Sequence, residues 1–117
     1  MKMIRYIETW CLEERMIEVI VGTASEIAVL YDLMKKNHDE TQIIPFCCDD
    51  PKFNPERRYG VRIFREGGWY AFFVIGEARV DALEAKFPSD SWDVLEDIED
   101  VKEHLGIGIN CHFSFYS

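Results

Sequence analysis

The sequence MIEVIVGTASEI, residues 16–27, contains the change from strand to helix on which the architecture rests. In its first half Ile17, Val19 and Val21 alternate with Glu18 and Ile20. Alternation with a period of two predicts a β-strand with one strongly apolar face and one mixed face. The strand is expected to end at Gly22, because glycine is a frequent breaker of regular structure.

The second half of this stretch carries the signature of a helix start. Thr23 and Glu26 fit a capping box, in which each side chain accepts a hydrogen bond from an unpaired backbone N–H of the first turn. Apolar residues then recur at the spacing of one helix face, at Ile27, Leu30, Tyr31 and Met34. We therefore predict a helix that begins at Thr23 and ends near Asn37.

The remaining chain is divided in the same way. Residues 1–12 are predicted as a first strand, residues 13–15 as a turn, and residues 41–48 as a short strand. Further along, residues 59–65 and 69–75 predict a hairpin, 77–87 a second helix, 89–105 a third helix and 107–116 a last strand. The expected fold is one α+β domain over residues 1–117. It has a mainly antiparallel sheet of five or six strands and three helices, in the order ββα(β)ββααβ.

Composition limits the partners of this chain. With 13 basic and 22 acidic residues among 117, its net charge of −9 disfavours direct binding to nucleic acid or to anionic membranes. No apolar stretch approaches the roughly 20 residues of a membrane-spanning helix. The four cysteines, Cys11, Cys47, Cys48 and Cys111, are interpreted as reduced thiols, so a cytoplasmic protein is expected.

The predicted third helix is the most informative feature for function. Its core face would hold Val94, Leu95, Ile98, Val101 and Leu105, and the opposite half would hold Asp90, Asp93, Glu96, Asp97, Glu99, Asp100 and Glu103. Spread over about 21 Å of helix, these carboxylates approach the roughly 3.4 Å repeat of phosphates along a DNA strand. The plainer interpretation, a solvent-facing helix that needs polar residues, stays open. Trp92 is either an aromatic anchor for a partner or a first-turn residue packed under a loop.

The other groups of polar residues give only weak signals for metal binding or catalysis. His104 follows Asp100 by one turn and Asp97 by two, but acidic helices produce such triplets by chance. The pairs Cys47-Cys48 and Cys111-His112 lack the spacer that a tetrahedral zinc site requires. No glycine loop suited to phosphates appears, and no spacing selects a nucleophile with its base. We therefore predict no catalytic residue, no metal and no cofactor, and a non-enzymatic role is favoured.

Charge and size favour an inhibitor-like binding protein. It would occupy a basic surface of a nuclease or another nucleic-acid-binding machine, as toxin-immunity and phage anti-defence (anti-CRISPR-like) proteins do. The predicted contact residues are Asp90, Trp92, Asp93, Glu96, Asp97, Asp100 and Glu103.

Two alternatives remain beside it. A small-ligand protein or enzyme would have a cleft between the aromatic hairpin and loop 49–58, with Arg57 and Arg58 holding an anion and Tyr59 and Trp69 forming walls. A homodimer would pair strand 69–75, apolar on both faces, with its copy. The same strand would otherwise be central in the sheet.

Overall fold

The computed structural model describes residues 1–36, 52–66 and 69–105. In order along these ranges lie β1 (Lys2–Trp10), β2 (Glu13–Thr23), α1 (Ala24–Lys36), β3 (Arg58–Glu66), β4 (Trp69–Ile75), α2 (Glu77–Lys86), a 3-10 turn (Ser89–Ser91), β5 (Asp93–Val94) and α3 (Ile98–Leu105). The five strands form one antiparallel sheet in the order β4-β3-β2-β1-β5, which confirms the predicted α+β class. The predicted strands 41–48 and 107–116 lie outside the described residues.

Strand β2 is buried on both of its faces. Ile17, Val19 and Val21 are at most 2% exposed on one face, and Ile20 is fully buried on the other. A strand that is apolar and buried on both sides requires cover on both sides of the sheet. Helices α1 and α3 supply it on the side of Ile20, here called the α1 face, and α2 supplies it on the side of Val19, here called the α2 face.

The core of the α1 face confirms the apolar stripe predicted for the first helix. The cluster around Ile20 contains Ile27, Leu30, Tyr31 and Met34 from α1, Val61, Ile63 and Phe72 from the hairpin, and Leu95 and Val101 from the C-terminal part. The ring of Tyr31 lies edge-on to that of Phe72, with 5.5 Å between ring centroids. Aromatic pairs favour this edge-to-face geometry.

The capping box at the start of α1 is present as predicted. The Thr23 N–H donates to Glu26 Oε1 at 2.9 Å, and the Glu26 N–H donates to Thr23 Oγ1 at 3.3 Å. Gly22 does not end the strand, however, because β2 continues through it to Thr23 in register with β3. A Cβ at Gly22 would lie 2.9 Å from Glu26 Oε1, so the glycine allows the capping side chain to approach the strand.

The turn between β1 and β2 lies earlier than predicted. It consists of Cys11 and Leu12, with φ of 51° and 67°, and the ladder already resumes with the pair Trp10 and Glu13. Two central residues with positive φ are typical of the tight turns that match the twist of a hairpin. The charged stretch that suggested a turn at residues 13–15 is strand instead, with Arg15 paired to Glu13.

Helix α2 covers the other side of the sheet and confirms the second predicted helix. Val80 is fully buried in a cluster with Ile4, Val19, Ile75 and Trp92. Arg58 on β3 ties α2 to the sheet, since its Nη1 donates to Glu84 Oε2 at 3.1 Å and its Nη2 lies 3.2 Å from Asp81 Oδ1. Lys2 also forms an ion pair with Glu84.

The third helix is shorter than predicted. Residues 89–97 form a 3-10 turn, the two-residue strand β5 and a connection, and α3 begins only at Ile98. The reason is tertiary: Trp92 is buried on the α2 face, whereas Leu95 and Val101 are buried on the α1 face. The chain must therefore cross the edge of the sheet, which it does where Val94 pairs with Lys2.

One further expectation is corrected with this crossing. Val94, predicted as a core residue, is 77% exposed on the edge strand β5. Within the described residues, strand β4 pairs only with β3, so its predicted central position stays a prediction.

We predict that Ile20→Ala lowers the free energy of unfolding by about 2–5 kcal/mol, because it leaves a cavity in the core of the α1 face. The matched control is Ile7→Ala on the neighbouring strand and the same face, where the side chain is 59% exposed. This control is expected to cost less than about 1 kcal/mol. Urea unfolding of the two variants is the measurement, and equal losses would contradict the described core.

A second prediction concerns pH. The Arg58 guanidinium and the Lys2 ammonium lower the pKa of Glu84 to about 2. A carboxylate with a lowered pKa in the folded state stabilises the fold above its usual pKa, and this contribution is lost as pH falls towards the lowered value. Glu84→Gln should therefore cost about 1 kcal/mol at pH 7, and the difference from the parent protein should shrink between pH 4.5 and 2.

The control for the pH experiment is Glu14→Gln, which changes an exposed carboxylate on β2. Unfolding curves of this variant should follow those of the parent across the same pH range. A penalty for Glu84→Gln that stays constant down to pH 2 would contradict the role of the ionised carboxylate.

Candidate functional site

Three buried side chains anchor the segment that crosses the sheet edge. Trp92, Leu95 and Val101 are 7%, 8% and 0% exposed. The Trp92 indole N–H donates to the Phe87 carbonyl oxygen at 3.2 Å, and Lys2 Nζ lies 4.9 Å from the centroid of its ring. This burial favours the interpretation of Trp92 as a packed residue over that of a surface anchor. The segment is thus fixed from both sides of the sheet.

The carboxylates of this segment lie on the outside of the crossing. Those that are exposed are Asp90, Asp93, Glu96, Asp97, Glu99 and Glu103, and Asp100 is half-buried; together we call them the acidic edge. Residues 90–103 contain seven of the 22 acidic residues of the chain and one of its 13 basic residues. This short segment therefore accounts for six of the nine net negative charges.

The geometry of the acidic edge differs from the straight ridge predicted from the sequence. Helix α3 has eight residues and is about 12 Å long, and it carries only Glu99, Asp100 and Glu103. Asp93 lies on β5 and Asp90 on the 3-10 turn before it. Because the carboxylates follow a bent path, the even spacing expected of a nucleic-acid strand is absent from this segment.

Some members of the acidic edge are used by the fold. The Asp100 N–H donates to Asp97 Oδ1 at 3.0 Å, and Asp100 Oδ2 accepts hydrogen bonds from the N–H groups of Glu96 at 2.9 Å and Asp97 at 3.3 Å. These contacts cap the start of α3. Glu99 forms an ion pair with Lys102 at 3.2 Å. The sequence signal for this cap was the spacing of Asp97 and Asp100, three residues apart. The longer predicted helix obscured it.

The other members take no such part. Within the ranges that the structure describes, the carboxylates of Asp90, Asp93, Glu96 and Glu103 make no hydrogen bond or ion pair. Three of them, Asp90, Asp93 and Glu96, are near the exposed edge-strand residue Val94 in sequence. These side chains are available to a partner at no cost to the internal contacts of the fold.

His104 does not join Asp97 and Asp100, because it faces the sheet. Its Nε2 lies 2.7 Å from Glu18 Oε2, and Arg5 Nη2 lies 3.1 Å from both atoms. Glu18 is 6% exposed, so this buried carboxylate holds the last turn of α3 against β1 and β2. Sequence reasoning noted Glu18 only as a polar residue in an apolar strand. Among the described residues, no group of histidine, cysteine, aspartate and glutamate is arranged to hold a metal ion.

Two of the four residues named for the alternative cleft, Arg58 and Tyr59, point to opposite sides of the sheet. Arg58 contacts α2 on one face, whereas the ring of Tyr59 packs edge-on to Phe53, with 5.2 Å between centroids. Successive strand residues alternate between faces, so these two side chains do not line one cleft. Arg57 is exposed, and the side chain of Trp69 lies outside what the structure describes.

Cys11 is an exposed free thiol at the tip of the β1–β2 hairpin; the other cysteines lie outside the described residues. No helix in the described part of the chain has the length and apolar character needed to cross a bilayer. Comparison of the chain with protein-family models, with curated proteins and with solved structures finds no match.

Proposed function

We propose that this chain is a small binding protein that places its acidic edge on a basic surface of a partner protein. The observation that carries the proposal is the concentration of six of nine net charges in residues 90–103. Asp90, Asp93 and Glu96 are exposed there and have no partner among the described residues. Complementary charge accelerates association and excludes partners of the wrong sign.

The class of basic surface that we propose follows from charge density. Proteins that bind nucleic acids carry clusters of lysine and arginine that neutralise phosphates. An acidic edge competes for such a cluster, whereas the chain itself repels nucleic acid. We therefore propose a nuclease or another nucleic-acid-binding machine as the partner, and inhibition of toxin-immunity or phage anti-defence kind as the result.

Val94 adds an apolar contact to the proposed interface. It is 77% exposed on β5, between Asp93 and Glu96 in sequence. Interfaces commonly combine a small apolar centre with a polar, solvent-accessible rim. In this arrangement the carboxylates would steer the encounter, and burial of Val94 would slow dissociation.

Compartment and assembly belong to the same proposal. The exposed free thiol of Cys11 is typical of a reducing compartment, which supports a cytoplasmic protein. Pairing of β4 with a second copy stays a prediction.

The proposal predicts that Asp90→Lys/Asp93→Lys/Glu96→Lys abolishes partner binding while the fold persists. These positions are exposed, and the capping residues Asp97 and Asp100 stay unchanged. The matched control is Glu14→Lys/Asp32→Lys/Glu56→Lys, which reverses three exposed carboxylates elsewhere and gives the same net charge. Circular dichroism of both variants should match that of the parent protein.

Binding is measured by affinity capture from a lysate of the native cell at about 150 mM and about 500 mM salt, since salt screens charge-driven contacts. A stoichiometric basic partner should be retained by the parent and the control at low salt, and lost by the acidic-edge variant. Equal retention by all three proteins would overturn the proposal, because binding would then be independent of the acidic edge.

A further inference from the structure

Helix α2 has two chemically different sides. On one side lie Asp81 and Glu84, which are occupied by ion pairs with Arg58 and Lys2. On the other lie Arg79, Ala82, Leu83 and Lys86, spaced i, i+3, i+4 and i+7. The acidic side is neutralised within the fold, and the basic side faces a cavity.

The cavity lies between α2 and the strands of the α2 face and has a volume of about 320 Å³. Ile75, Ala82 and Leu83 give it an apolar lining. Polar groups from two strands, Tyr6 and Arg62, complete the opposite wall. This volume is at the lower end of the range for small-molecule sites, which are typically apolar with a few converging polar groups.

The charge of the cavity is opposite to that of the chain. Arg62, Arg79 and Lys86 line it together with a single carboxylate, that of Glu8. Arg62 Nη2 lies 2.6 Å from Glu8 Oε1, so the charges of these two side chains neutralise each other. Arg79 and Lys86 supply two further positive charges in a protein whose net charge is −9.

Aromatic contacts fix the position of the polar wall. The ring centroids of Tyr6 and Phe87 are 5.1 Å apart, and Lys86 Nζ lies 5.4 Å from the centroid of Phe87. Burial raises the pKa of Tyr6 despite the opposing influence of Arg62 and Arg79. The phenol is therefore neutral at pH 7 and retains an O–H that can donate a hydrogen bond.

We propose that this cavity binds a small organic anion, a carboxylate or a phosphate monoester with an apolar body. Arg79 and Lys86 would hold the charged group, and Tyr6 would donate a hydrogen bond to it. The apolar body would rest on Ile75, Ala82 and Leu83. Because a guanidinium offers two parallel N–H groups, Arg79 is suited to either kind of anion. This site is separate from the acidic edge, so either proposal can fail while the other stands.

The test is a titration of the ¹⁵N-labelled full chain, followed by amide chemical shifts. The probes are phenyl phosphate and benzoate, with benzyl alcohol as the uncharged compound of the same ring size. Saturable shifts at residues lining the cavity are expected with at least one anion and not with the alcohol. The stronger of the two anions identifies the charged group that the site prefers.

Two double variants test whether the anion binds in the cavity. Arg79→Gln/Lys86→Gln should weaken binding of the preferred anion at least tenfold. Lys35→Gln/Lys52→Gln removes two exposed basic residues elsewhere and should leave the affinity unchanged. Shifts that do not saturate, equal binding of benzyl alcohol, or equal weakening by both double variants would overturn the proposal.

Discussion

Burial of β2 on both faces is the constraint that organises this molecule. Its residues 17–21 are all buried, and a two-sided apolar strand excludes an architecture with helices on one side only. Helix α1 follows β2 directly and covers the α1 face, whereas α2 covers the other face from a later part of the chain.

The segment after α2 serves both sides, and this explains where its charges lie. Trp92 completes the cluster of the α2 face, and Leu95 and Val101 complete the cluster of the α1 face. Carboxylates cannot be buried without partners, so those of the crossing segment remain on its outer surface. Glu18 shows the opposite solution, because this buried carboxylate is accompanied by Arg5 and His104. The acidic edge thus follows from how the sheet is covered.

Local sequence patterns were sufficient to predict the first helix and the β3–β4 hairpin. The stripe from Ile27 to Met34 and the Thr23–Glu26 capping box are interactions between near neighbours, which periodicity and spacing describe directly. The third helix was predicted too long because Leu95, Ile98 and Val101 fit a helical period although Leu95 lies in the connection before α3. Only the tertiary burial of Trp92 on the other face distinguishes the two arrangements.

Functional surfaces were harder to predict from the sequence than the helices were. The proposed anion cavity combines side chains of β1, β3, β4 and α2, which no local motif brings together. Arg58 and Tyr59, two residues of the alternative cleft, are adjacent strand residues and face opposite sides, which the cleft prediction did not take into account. The acidic edge was visible as composition, but its bent path depended on the pairing of β5 with β1.

The path of residues 89–105 around the sheet edge is tested most directly by nuclear Overhauser effects. An edge crossing gives contacts from the Trp92 indole to the side chain of Lys2, from the Leu95 N–H to the backbone of Met1, and between the backbones of Lys2 and Val94. A continuous helix would instead give sequential helical contacts through residues 92–97 and no cross-strand contact at Lys2. The first result is expected, and the second would contradict both the fold of this segment and the acidic edge defined on it.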